Sequence, residues 1–223
     1  MVLAARPRQR IRLPVDGRPA LPRESRARRY LDAASAALLL LLAAPILAAG
    51  ALLVLLGSGR PVLFGHRRVG RGGRLFRCWK LRTMMRGAEL RLVQDGELRA
   101  RHAGNGFKLP TREDPRITRV GRFLRRSHLD ELPQLLNVLN GTMSLVGPRP
   151  VVEEELREYG EDAAELLGAR PGIVGEWTSL GQARPGYPER AAIELHYVRT
   201  RTLGTDLRIL LRSVPVVLRG QGE

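Results

Sequence analysis

Between Ala33 and Gly59 the chain carries no charged residue, and the centre of that stretch, Ala36 to Leu56, is mostly Leu and Ala around a single proline, Pro45. Such a run must be surrounded by something apolar. As a straight helix it would reach ~40 Å at ~1.5 Å per residue, enough to cross a ~30 Å hydrocarbon layer. The flanks favour a different path. Arg26, Arg28 and Arg29 precede the run and Arg60, Arg67, Arg68 and Arg71 follow it, so the positive-inside rule finds no asymmetry and both ends read as cytoplasmic. Pro45 would divide the helix into halves of about a dozen residues, each ~18 Å long and too short to cross. The expected path over residues 30–59 is therefore a re-entrant helix hairpin that enters one leaflet and returns. A plain spanning helix with a tolerated proline is the alternative.

The 223 residues allow one domain of ordinary size beside this segment. Residues 1–29 hold nine arginines and four prolines with few large apolar side chains, the composition of a solvated basic arm. Residues 60–223 form the expected globular domain. Lys plus Arg number 38 against 22 Asp plus Glu, a formal charge of +16, which calls for a polyanionic partner: nucleic acid, anionic lipid or a phosphorylated substrate. With aromatics at 4%, the stacking platforms of single-strand binders are hard to build, which argues against nucleic acid. Cys78 is the lone cysteine, so no internal disulfide forms and a multi-cysteine zinc site is excluded.

The alternation Leu75, Arg77, Trp79, Leu81 fits a half-buried strand, which would put Phe76, Cys78, Lys80 and Arg82 on the other face and point Lys80 and Arg82 the same way. Arginines at 116, 119, 122, 125 and 126 opposite Ile117, Val120 and Leu124 fit an amphipathic basic helix over 114–126, either a solvated face or a lipid and phosphate contact. In Ser127-His-Leu-Asp-Glu-Leu-Pro-Gln-Leu-Leu-Asn-Val-Leu-Asn-Gly141 the leucines keep a helical stripe. A helix is expected from about Asp130, with Pro133 in its first turn, Ser127 or Asp130 as cap, and Asp130 and Glu131 at the positive end of its dipole. Gly147-Pro-Arg-Pro150 is a rigid turn that preorganises Arg149 for an anion. Helices are expected over 151–168 and 189–199, a turn and strand over 170–177, and an interfacial amphipathic helix over 206–219, kinked at Pro215. Two adjacent carboxylates beside fixed cations suit phosphoryl transfer, with Asp as nucleophile and Glu as a Mg2+ ligand, although an Asp-Glu pair at a helix start is more often a cap.

The long stretch Arg116 to Pro150, with Asp-Glu-Leu-Pro-Gln and Gly-Pro-Arg-Pro in order, resembles the signature of the bacterial sugar transferases, the monotopic phosphoglycosyl transferases. The likeness extends through Lys80-Leu-Arg-Thr-Met84, Arg170-Pro-Gly-Ile173, Glu194 to Val198 and Asp206 to Gly220; the four-helix amino-terminal region of the larger members is missing, which resembles the small type, while the basic arm 1–29 has no counterpart in the minimal members. The resemblance implies an α/β-type monotopic protein of helices and short strands on the cytoplasmic face of the bacterial inner membrane. It implies that Asp130 attacks a UDP-sugar, releases UMP and passes a phosphosugar to undecaprenyl phosphate, with Glu131 on Mg2+, Lys80, Arg125 and Arg149 on phosphates, and Pro45 at the break of the re-entrant anchor. Anionic lipids, a second copy and downstream glycosyltransferases are the further partners expected. A noncatalytic scaffold for glycan assembly and a membrane-tethered nucleic-acid binder are the rivals. The sequence departs from the family at Ala44, where Ser is common before the proline, and across Gly175-Glu-Trp-Thr-Ser-Leu-Gly-Gln182, where Gly-Leu-Trp-Gln-Val-Ser-Gly-Arg is usual.

Overall fold

A computed structural model describes residues 25–104 and 109–219, so all but the last five residues of the expected basic arm lie outside the described residues. Helix α1 (Arg26–Ser58) leads into an antiparallel hairpin of β1 (Leu63–Val69) and β2 (Leu75–Leu81), in register from Leu63 opposite Leu81 to Val69 opposite Leu75. Two short helices follow, α2 (Ala88–Gln94) and α3 (Gly96–Gly104), then α4 (Arg119–Arg126) and α5 (Gln134–Leu139). The short strands β3 (Ser144–Val146) and β4 (Gly172–Val174) pair in parallel, with a 3₁₀ segment (Glu153–Asp162) and α6 (Ala163–Leu166) in the crossover between them. Helices α7 (Glu189–Thr200) and α8 (Leu203–Leu218) complete the domain. The architecture is thus mixed, helices around two small sheets, and its α/β character rests on the β3–β4 pair.

The expected arm gives up Arg26, Arg28 and Arg29 to α1, which starts four residues before Tyr30 and runs helical through Pro45. Two separate halves are not seen at the backbone. A proline removes one rung of the hydrogen-bond ladder, and the flanking turns absorb that loss locally. Both ends of α1 are nevertheless fastened to the domain. At the start, Arg29 donates to the carbonyls of Val138 and Leu139 (both 2.7 Å), while the Asp32 carboxylate accepts from Ser144 Oγ (2.6 Å) and the Leu145 amide (3.1 Å). Arg28 pairs with Asp206 at 2.6 Å, and Ala36 is buried with Leu135, Val138 and Met143. At the other end Val54 is buried with Leu81 and Leu124, and Arg82 donates to the carbonyls of Ser58 (2.6 Å) and Gly59 (2.7 Å), closing the helix. Between these attachments Leu38, Leu41, Leu42 and Ile46 face outward, Leu41 being 73% exposed.

Helix α4 begins later than its arginine spacing implies. Asp114 folds back on Arg116 in a bidentate pair (2.8 and 2.7 Å), and Thr118 Oγ1 accepts from the Gly121 amide at 2.8 Å, setting the cap. Gly121 is required there because a Cβ would lie 1.9 Å from the Thr83 carbonyl oxygen. Over 151–168 a 3₁₀ path replaces the expected regular helix, interrupted at Gly160 (φ 52). The expected tail helix starts three residues before Asp206, capped by Thr202, and continues through Pro215. It exposes Leu203, Leu207, Leu211 and Val214 while burying Ile209.

Candidate active site

Asp130 and Glu131 lie in a short 3₁₀ turn, Leu129–Glu131, instead of the first turn of an α-helix. The chain leaves α4 when Ser127 Oγ donates to the Phe123 (2.9 Å) and Leu124 (3.2 Å) carbonyls, so Ser127 ends one helix and does not cap the next. It then turns sharply through His128, the one non-glycine residue with positive φ (56°) among those described. Pro133 has no N–H to donate, and regular helix starts only after it, at Gln134. With α5 six residues long, the dipole that the carboxylates feel is small.

Strand β2 supplies the first cation. Lys80 Nζ donates to Glu131 Oε1, and both side chains are about one-third exposed, at 31% and 29%. Burial pushes the Glu131 carboxyl up, but the charges of Lys80 and Arg149 outweigh it and hold the group at about 2. Glu131 is therefore ionised at neutral pH. Asp130 beside it is buried, at 6% exposure. Lys80 and Arg82 do not share a target as the strand alternation implied, because β2 ends at Leu81 and Arg82 turns to α1.

Arg149 enters from the other side. Its turn is pressed against the β4 strand so closely that a Cβ on Gly147 would lie 2.4 Å from the Arg170 carbonyl oxygen. The Arg149 amide donates to Glu194 Oε1 (3.3 Å), and its guanidinium sits 5.9 Å from the centre of the Trp177 ring. Buried Glu194 also accepts from Tyr159 OH (2.8 Å) and Arg190 Nε (3.4 Å), and burial pushes its carboxyl up against the pull of Arg190. Arg125 is held apart from these residues, its Nε donating to Thr83 Oγ1 at 2.9 Å. The structure thus brings Lys80, Glu131 and Arg149 together and ties Arg125 to the segment that follows β2.

A model of the family described as "Bacterial sugar transferase" matches residues 23–220. The chain belongs to the bacterial sugar transferase family. Among similar proteins, the undecaprenyl-phosphate galactose phosphotransferase of Salmonella typhimurium is 44% identical over 168 residues, 74% of this chain and 35% of that protein. The exopolysaccharide production protein ExoY of Rhizobium meliloti is 40% identical over 205 residues, covering 88% of each chain. The UDP-glucose:undecaprenyl-phosphate glucose-1-phosphate transferase of Caulobacter vibrioides is 41% identical over 203 residues, 86% of this chain and 69% of that one. The chain therefore spans about a third of the Salmonella protein and most of the other two.

In this member of the family several residues beside the site carried no separate signal in the sequence. His128, whose backbone sets the turn, lies among ordinary helix formers. Trp177 gathers the guanidiniums of Arg149, Arg184 and Arg190 about one ring. Arg184-Pro-Gly186 does repeat the arginine-before-proline pattern of Arg149-Pro150, and that pattern was the available clue. Among the described residues no three His, Cys, Asp or Glu side chains cluster as a metal cage. A single ionised carboxylate, Glu131, nevertheless suits Mg2+, which keeps several waters and is commonly bound by one or two carboxylates together with substrate phosphates.

Proposed function

We propose that the chain transfers a sugar 1-phosphate from a UDP-sugar to undecaprenyl phosphate at the membrane surface, through a phosphosugar ester on Asp130 and with release of UMP. The observation that carries this reading is the Lys80–Glu131 ion pair, within reach of the charge of Arg149 and next to a buried aspartate. A carboxylate oxygen of Asp130 forms the bond to the sugar-linked phosphorus while the phosphoanhydride bond to UMP breaks. A phosphate oxygen of the acceptor then attacks the same phosphorus and frees the Asp130 carboxylate, so atoms and charge balance over the two steps. Lys80 and Arg149 neutralise the phosphate oxygens, and Arg125 on the Thr83 side adds a third cation. Glu131 would hold Mg2+, which supplies charge neutralisation for the diphosphate and its leaving group. The names of the relatives make galactose and glucose the first donor sugars to try.

The same reading takes α1 as a re-entrant anchor on the cytoplasmic face. Support comes from the two ends of the helix, since Asp32 and Arg82 tie opposite ends of it to one domain while Leu38 to Ile46 point away. A spanning helix would carry one of those ends across the bilayer. The interfacial role of α8 is supported by its outward apolar stripe.

The test is release of UMP from UDP-sugars by the purified membrane protein with Mg2+ and undecaprenyl phosphate, together with the intact mass of the protein when acceptor is withheld. Release accompanied by a phosphosugar mass on the wild type, with both lost in Asp130→Asn, is the expected result. Equal release by Asp130→Asn would remove the covalent mechanism.

A further inference from the structure

Trp177 is fixed in place by its own loop. Its indole N–H donates to the Pro185 carbonyl at 2.8 Å, and Thr178 Oγ1 accepts from the Gly175 amide at 2.7 Å, so the chain from Gly175 to Pro185 closes on itself around the ring. Arg184 lies inside that closure, immediately before the proline, with its guanidinium 5.0 Å from the ring centre. Arg190 lies 4.6 Å from the same centre and Arg149 5.9 Å. The three cations do not have the same neighbours. Arg190 is neutralised by Glu155 (3.0 Å) and Glu194 (3.4 Å), which makes it structural. The charge of Arg149 lowers the Glu131 carboxyl, and the charge of Glu131 in turn partly offsets the lowering of the Arg184 guanidinium. Burial and then the charge of Arg149 push the Arg184 guanidinium below its ordinary value. The half-buried guanidiniums of Arg149 and Arg184 are thus held about one immobilised ring, which places both for a shared anion.

We propose that Arg184 is a second arginine of the phosphate clamp, set by the Trp177 loop to act with Arg149 on a phosphate of one of the two substrates. The inference rests on the transfer reaction proposed above only for the identity of those substrates. Arginine suits the position because its planar fork stacks on an indole face and still presents donors in the ring plane to phosphate oxygens. The immobilised loop reduces the side-chain freedom lost on binding.

Binding of UDP by calorimetry and steady-state transfer over a range of undecaprenyl phosphate concentrations, on the full chain, separate the two sources of phosphate. Three variants are needed: Arg184→Gln, Arg184→Lys, and Gln182→Ala as an exposed control in the same loop. Weaker UDP binding by Arg184→Gln, roughly tenfold for one lost charge-assisted contact, assigns the residue to the donor. An unchanged UDP affinity with a KM for undecaprenyl phosphate raised about tenfold and kcat kept assigns it to the acceptor. In either case Arg184→Lys recovers part of the loss and Gln182→Ala loses nothing. The proposal is overturned if both constants are unchanged in Arg184→Gln, or if they worsen together with a lowered melting temperature that Lys does not restore. Arg184-dependent UDP binding in a protein that releases no UMP would keep the clamp and reject the transfer reaction.

Discussion

Lys80 and Glu131 form an ion pair that is neither fully exposed nor sealed, so its worth lies between the small value of surface pairs and the large cost of orphaned buried charges. Lys80→Met is expected to lower stability by about 1–3 kcal/mol at pH 7, measured by denaturant melts. The pH dependence follows from the depressed Glu131 carboxyl. Its contribution is complete above the ordinary value of 4.5 and is lost as pH falls toward about 2, so the gap between wild type and Lys80→Met should close over that interval. Sugar transfer by the same variant is expected to fall about a hundredfold, as for loss of one charge-stabilising donor. Gly121→Ala tests packing instead of charge. Its Cβ would meet a backbone oxygen that cannot rotate away, and a loss of about 3 kcal/mol by the same melts is expected. At this scale the sequence was legible where chemistry is written as adjacent letters: Asp130 with Glu131, and Arg149 between prolines. It was silent on the contacts that join distant segments there, the Arg149 guanidinium near the Trp177 ring and the Tyr159 hydroxyl on Glu194.

Among the elements, α1 was readable in kind and its attachments were not. Absence of charge marks an apolar helix, but the bonds from Arg29 to Val138 and Leu139 and from Ser144 to Asp32 join segments more than a hundred residues apart. Asp32→Ala is expected to cost about 1–3 kcal/mol because it strands the Ser144 hydroxyl and the Leu145 amide in a buried setting. Topology has its own test. Single cysteines at Ser25→Cys and Arg60→Cys should react with an impermeant label from the same side of the membrane, while Cys78, buried at 3% exposure, stays unlabelled. Labelling from opposite sides would reject the re-entrant anchor. Helix α7 was readable to within a residue because the loop rich in Gly and Pro before Glu189 marks its start. The three-residue strand β3 is too short for any periodicity, and α4 starts late because the Asp114–Arg116 pair uses up the residues before it.

For the molecule as a whole, the charge of +16 and the exposed leucines of α1 and α8 describe two modes of attachment with different responses to salt. Salt screens the attraction between arginine and anionic lipid beyond about 10 Å at 0.1 M and beyond about 3 Å at 1 M, whereas apolar insertion does not depend on it. The protein should therefore remain in the membrane pellet after a wash in about 1 M salt, roughly the strength at which surface charge is screened. Because Ala36 and Val54 of α1 are buried at 0% and 1% exposure, the helix completes two core clusters of the domain. Deleting residues 25–58 should yield insoluble chain and no freely soluble transferase. A cell that needs to remove such a protein consequently has no dispensable tether to clip: proteolysis within α1 would ruin the fold itself, so cutting there means disposing of the whole protein.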